Sequence, residues 1–175
     1  MKTIAWLIAA LILAPTAAAG PSMMDVAQGF YGAYTASQPS DGIPDKGQRA
    51  RYAPYLSAEL NGLLDQAAAA QARFQKDNKF APPIVDGDLF TSMYEGATAV
   101  RVADCRAEGR TGTCRAELTY DDRHDAPVRW TDMLYLVMTA QGWRIDDVGY
   151  GGNWKYSNRG RLTATLRQAI ANAGG

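Results

Sequence analysis

Histidine is almost missing from this chain, with His124 the single example among 175 residues, and cysteine is confined to Cys105 and Cys114. These two scarcities remove most of the material for a metal centre or for a serine or cysteine hydrolase. No Gly-x-Ser-x-Gly elbow occurs, and Gly149-Tyr150-Gly151-Gly152 lacks both a Walker lysine and dinucleotide spacing. An excess of either charge is missing too. The 18 basic residues match the 18 acidic ones, which argues against nucleic acid or a polybasic membrane surface as partner. Beyond the first nineteen residues no apolar run approaches twenty, so no membrane span is expected.

What is present begins with an export signal. Lys2, the apolar run Ile4 to Pro15 and Ala17-Ala18-Ala19 have the order of charge, hydrophobic core and small-residue cleavage site. The expectation is a signal peptide over 1–19 and one mature domain over 20–175, periplasmic or secreted. No cysteine adjoins Gly20, so no lipid anchor is expected. An even cysteine pair in an exported chain reads as a disulfide, with the Gly-rich segment between them as the turn of a hairpin. The pair is too widely spaced for a Cys-x-x-Cys redox motif.

Periodicity then lays out the elements. Met23, Val26, Ala27, Phe30 and Tyr34 fall at helical spacing after Ser22, and Gly42-Ile43-Pro44 blocks continuation. A short helix is predicted from Lys46 to Ala53, ended by Pro54. Ser57 caps a long helix with the stripe Leu60, Leu63, Leu64, Ala67, Ala70 and Phe74, ending near Asp77 to Phe80. The period then becomes two. Strands are predicted over Ala97–Cys105, Cys114–Tyr120, Val128–Ala140 and Trp143–Tyr150, and a last helix over Arg161–Asn172. Helices followed by an antiparallel meander define an α+β domain of about four strands with helices on one face.

Three segments carry a resemblance: Arg51-Tyr52-Ala53-Pro54-Tyr55-Leu56-Ser57-Ala58-Glu59-Leu60, Gly87-Asp88-Leu89-Phe90-Thr91-Ser92-Met93-Tyr94-Glu95-Gly96, and Gly142-Trp143-Arg144-Ile145-Asp146-Asp147-Val148. With the helix around Val26 to Tyr34, they resemble an uncharacterised family of small exported bacterial proteins that includes envelope lipoproteins. That family belongs to the nuclear transport factor 2-like, or cystatin-like, superfamily. The resemblance implies a curved sheet wrapped around a long helix, with a conical cavity between them. It implies no activity.

Candidate residues follow. His124 lies in Asp121-Asp122-Arg123-His124-Asp125, a turn-forming segment and a poor metal site. Asp88, Asp132, Asp146 and Tyr135 are the carboxylates and phenol available for proton transfer, but Asp132 and Tyr135 differ in strand parity and should face opposite sides. Asp146 is expected to be a structural acid, pairing with Arg144 or capping a turn. Asp88, Ser92 and Glu95 form the most distinctive polar cluster, either at the mouth of a cavity or satisfying backbone donors. Trp154 and Tyr156, beyond the last strand, have the chemistry of partner anchors. The ligand- or partner-binding candidates are therefore Asp88, Ser92, Glu95, Tyr135, Trp154 and Tyr156, with no catalytic residue, metal or cofactor expected. The expected function is a non-enzymatic exported binding module, an envelope accessory or immunity protein whose partner is a protein or other envelope component, with homodimerisation a further expectation. The alternative is a small-ligand-binding or isomerase-like protein using an acid in the cavity.

Overall fold

The computed structural model describes residues 20–37 and 42–174, so the expected signal segment 1–19 lies outside the described residues. Helix α1 (Met23–Ala36) starts at a capping box: Ser22 Oγ accepts from Asp25 N at 3.2 Å, and the Asp25 carboxylate accepts from Ser22 N at 2.9 Å. It buries Met23, Val26, Ala27, Phe30, Tyr31 and Tyr34. Helix α2 (Lys46–Tyr52) has its own capping box from Asp45 and Gln48. Pro54 does not stop the chain from turning. It sits at the start of a 3-10 turn over Ala53–Tyr55, where its missing N–H has no helical partner to lose. Helix α3 (Ala58–Asp77) is capped by Ser57 Oγ, which accepts from Leu60 N at 3.0 Å.

The sheet is an antiparallel meander, ordered β1 (Ala99–Glu108), β2 (Thr111–Tyr120), β3 (Val128–Thr139) and β4 (Gly142–Gly149). The predicted first hairpin differs in one respect. The strands run past both cysteines, and only Gly109 (φ 61°) and Arg110 turn the chain. Gly112 belongs to β2, not to a loop, because Met23 of α1 packs where a β-carbon would stand. The Cys105–Cys114 disulfide forms with Cα atoms 4.0 Å apart. It sits at a bulge, where Asp104 (φ 47°) and Cys105 together oppose Cys114.

The inner face carries Val102, Ala116, Leu118, Trp130, Leu134, Leu136, Ile145 and Val148, all buried. Helix α1 packs across β1, β2 and β4, and α4 (Leu162–Asn172) packs on α3 and β4. The expected structural acid is displaced by one residue. A bulge leaves Asp146 as the extra residue of β4, and Asp147 takes the structural role. Asp147 accepts from Thr163 N at 3.0 Å and Thr163 Oγ1 at 2.9 Å, supplying the start of α4 with a cap that Arg161 lacks. Arg144 donates to the Trp143 carbonyl at 2.7 Å, and among the described residues it has no ion pair with Asp146.

The resemblance implied a conical cavity between helix and sheet. That volume is filled by rings: Phe90 meets Phe30, Tyr34 and Tyr52 edge to face at centroid separations of 5.2, 6.4 and 5.4 Å. All four side chains are at most 1% exposed.

Candidate functional site: an aromatic groove over a buried polar knot

Between α3 and β1 the chain crosses the core as a segment without helix or strand, 84–98. Buried backbone of this kind must find its hydrogen bonds elsewhere. Five successive carbonyls do so through distant residues. Asn158 Nδ2 donates to Asp88 O at 2.7 Å and to Thr91 O at 2.8 Å, while Asn158 N donates to Ser92 O at 2.9 Å. The Tyr150 hydroxyl donates to Leu89 O at 2.7 Å and the Tyr31 hydroxyl to Phe90 O at 3.4 Å.

Asp132 is the hub. It is fully buried on the inner face of β3, and its carboxylate accepts four bonds, the full capacity of the group. Oδ2 accepts from Ser92 N at 2.8 Å and Trp130 Nε1 at 3.0 Å, and Oδ1 accepts from Gly151 N at 2.8 Å and from the Ser92 hydroxyl. Ser92 Oγ in turn accepts from Gly152 N at 2.9 Å. Glycine is needed here: a β-carbon on Gly151 would collide with the Thr131 carbonyl, and one on Gly152 would lie 2.7 Å from Ser92 Cβ. The glycines after β4 are thus a close-approach device that locks the 150–158 loop to the 88–92 segment.

Asp88, also buried at 2% exposure, is held differently. Its Oδ1 accepts from Phe90 N at 2.8 Å, and its Oδ2 has no hydrogen-bond partner. Burial pushes the carboxyl up to about 7, with the Tyr34 and Thr91 hydroxyls and the Phe90 and Thr91 amides pulling the other way. Burial likewise pushes the Tyr31, Tyr34 and Tyr150 phenols up, and the Asp88 charge adds to each shift.

On the outside of this knot lies a groove of about 550 Å³, lined by Met93, Tyr94, Glu95, Val128, Trp154 and Tyr156. Among the described residues the large exposed hydrophobics are Phe80, Tyr94, Val128 and Tyr156, and three of these four line the groove. Trp154 is half-buried, its ring edge-on to Trp130 at 5.7 Å. Tyr156 is 74% exposed, with Lys155 Nζ 5.0 Å from its ring centre.

The six sequence candidates therefore separate into three places. Glu95, Trp154 and Tyr156 meet in the groove; Asp88 and Ser92 lie in the knot behind it. Tyr135 is on the far face of the sheet, opposite in parity to Asp132, under the Arg161 guanidinium at 3.4 Å. His124 is exposed in its turn, where the Asp122 carboxylate accepts from His124 N at 2.9 Å and Asp125 N at 3.1 Å. Sequence reasoning missed Asn158 and the hub role of Asp132. A polar residue at an inward position of a buried strand was the available signal for Asp132. Asn158 lies in a loop with no periodicity to mark it.

No known protein-family model matches the chain. Over 123 residues it is 29% identical to the uncharacterized lipoprotein YbjP of Escherichia coli strain K12, a match that covers 68% of this chain and spans 62% of that protein's length. The likeness fits an exported protein of the cell envelope. It also corrects the expectation of no lipid anchor. The similar protein is a lipoprotein, a class that carries a lipid anchor.

Proposed function

We propose that this chain is a non-enzymatic binding module of the bacterial envelope, and that the 93–95, 128 and 154–156 groove receives an apolar side chain from an exported protein partner. The observation that carries this reading is the convergence of Tyr94, Val128 and Tyr156 with Trp154 on one groove. Tyrosine and tryptophan dominate the energetics of protein interfaces, because they offer large rigid area with a polar tip. A volume of about 550 Å³ accommodates one or two large side chains. Glu95 and Lys155 stand at the rim, where charge sets register and approach more than affinity.

The small-ligand or isomerase-like alternative needs a carboxylate at the base of an open cavity. Two of the candidate acids do not lie that way: Asp132 is saturated by four donors, and Asp88 is sealed behind Phe30, Tyr34, Tyr52 and Phe90. Asp146 lines a separate open pocket of about 360 Å³ with Tyr135, Arg106 and Glu108, away from the apolar interior that such chemistry needs. Support for the interaction reading is correspondingly greater.

The test is site-specific photo-crosslinking in intact cells, with the probe at Tyr156 and, as a control, at Phe80, which is even more solvent-facing but outside the groove. The expected result is a discrete protein adduct from position 156 alone, reduced at least tenfold by Val128→Lys, which places a charge in the groove. Equal labelling from both positions, or none from 156, would sink the reading.

A further inference from the structure

The two buried carboxylates behind the groove are in opposite states of satisfaction. Asp132 receives four hydrogen bonds, whereas Asp88 receives one at Oδ1 and none at Oδ2. Asp88 is also mechanically tied to the groove wall. Its backbone N donates to Tyr94 O at 2.8 Å, and Tyr94 lines the groove. The groups facing Asp88 are Tyr31 and Tyr34 from α1, Tyr52 from α2, Tyr150 after β4 and Thr91 of its own segment, with Asp132 of β3 acting on Tyr31 and Tyr150. From α3 the core receives Leu60, Leu63, Leu64 and Ala67. These neighbours are hydroxyls, backbone amides, a carboxylate and hydrocarbon, so none supplies a positive charge to pair with an ionised Asp88.

We infer that Asp88 is a proton-operated latch for the groove: the protonated carboxyl keeps the 88–96 segment closed against the 150–158 loop, and loss of the proton favours opening. The physical cause is the unpartnered oxygen. A charged carboxylate with one bare oxygen in a buried site free of cations can recover its full solvation only by admitting water, and the segment that must move has no helix or strand to hold it. Asp132 stays satisfied throughout, so opening starts at the Asp88 end and releases Tyr94 first. The latch bears on function only if the groove is the binding surface, and it rests on that reading to this extent.

Hydrogen exchange on the free, folded protein tests it without any partner. Protection factors of the Asp88, Phe90 and Gly96 amides should fall about tenfold per pH unit between pH 5 and 7 and level off above, while that of Ser92 N, held by Asp132, should not, since the carboxyl is pushed up to about 7 when closed and returns toward 3.8 when wet. In Asp88→Asn, which keeps the shape and cannot ionise, the same amides should show no such slope. A flat wild-type profile, or an unchanged slope in Asp88→Asn, would overturn the latch. Should that variant not fold, ¹³C titration of the wild-type carboxyl decides: a midpoint near 7 is expected, and one near 4 would overturn it. Failure of the groove reading looks different, because a missing Tyr156 adduct leaves the exchange slope intact.

Discussion

A buried carboxylate can brace a fold or threaten it, and Asp132 and Asp88 represent the two cases. At Asp132, removal of the side chain would strand Ser92 N, Ser92 Oγ, Trp130 Nε1 and Gly151 N inside the protein. Each stranded donor costs about 1–3 kcal/mol, moderated where water enters the vacated space, so Asp132→Ala should lose about 3–5 kcal/mol in a urea titration. Asp132→Asn should recover only part of this loss, since its amide turns a donor toward donors. Asp88→Asn has the opposite sign at pH 8, where it removes an unpaired buried charge and should raise the urea midpoint. If the two asparagine variants moved the midpoint together, the distinction drawn between these acids would be wrong.

At the scale of elements, the parts legible in the sequence are those whose stability is local or periodic. The stripe from Leu60 to Ala70 with Ser57 as cap is α3 as observed, and the alternation around Trp130, Leu134 and Leu136 sets the inward face of β3. What escaped depends on contacts between distant residues. Gly112 reads as loop until Met23 is placed against it, and Asp146 reads as the structural acid until a bulge hands that role to Asp147. The 88–96 segment had a recognisable composition but no period, because its carbonyls are paired by Tyr31, Tyr150 and Asn158. The groove was half legible: Glu95, Trp154 and Tyr156 stood out as residue types, while Met93, Tyr94 and Val128 join them only through the knot. The disulfide is an element-scale constraint, closing a sequence separation of 9 within one hairpin. Cys105→Ser with Cys114→Ser should lower stability by about 2–3 kcal/mol on the chain-entropy account, read as a fall in melting temperature equal to that produced by reductant. A reductant effect persisting in the double variant would assign the loss elsewhere.

For the whole molecule, titratable groups on both sides of neutrality predict an asymmetric dependence of stability on pH. The folded protein holds the Asp88 proton up to about 7, whereas the unfolded chain releases it near 3.8. Between those values the native state binds more protons, so stability falls as pH rises, by at most about 1.4 kcal/mol per unit. Asp25 and Asp122 act in the other direction: hydrogen bonds from Ser22, and from the His124 and Asp125 amides, hold them below 3.8, so their contribution is present above that value and is lost in stronger acid. At the alkaline end Tyr31, Tyr34 and Tyr150 keep their protons past 10, where unfolded tyrosines ionise, and stability falls again. The urea midpoint should therefore peak near pH 4–5, decline to about 7, remain level, and drop above about 10. Asp88→Asn should flatten the decline between 5 and 7 and leave the alkaline drop in place. A wild-type midpoint that rises from pH 5 to 7 would mean that Asp88 is ionised and solvated in the folded state, and the sealed core drawn around it would have to be abandoned.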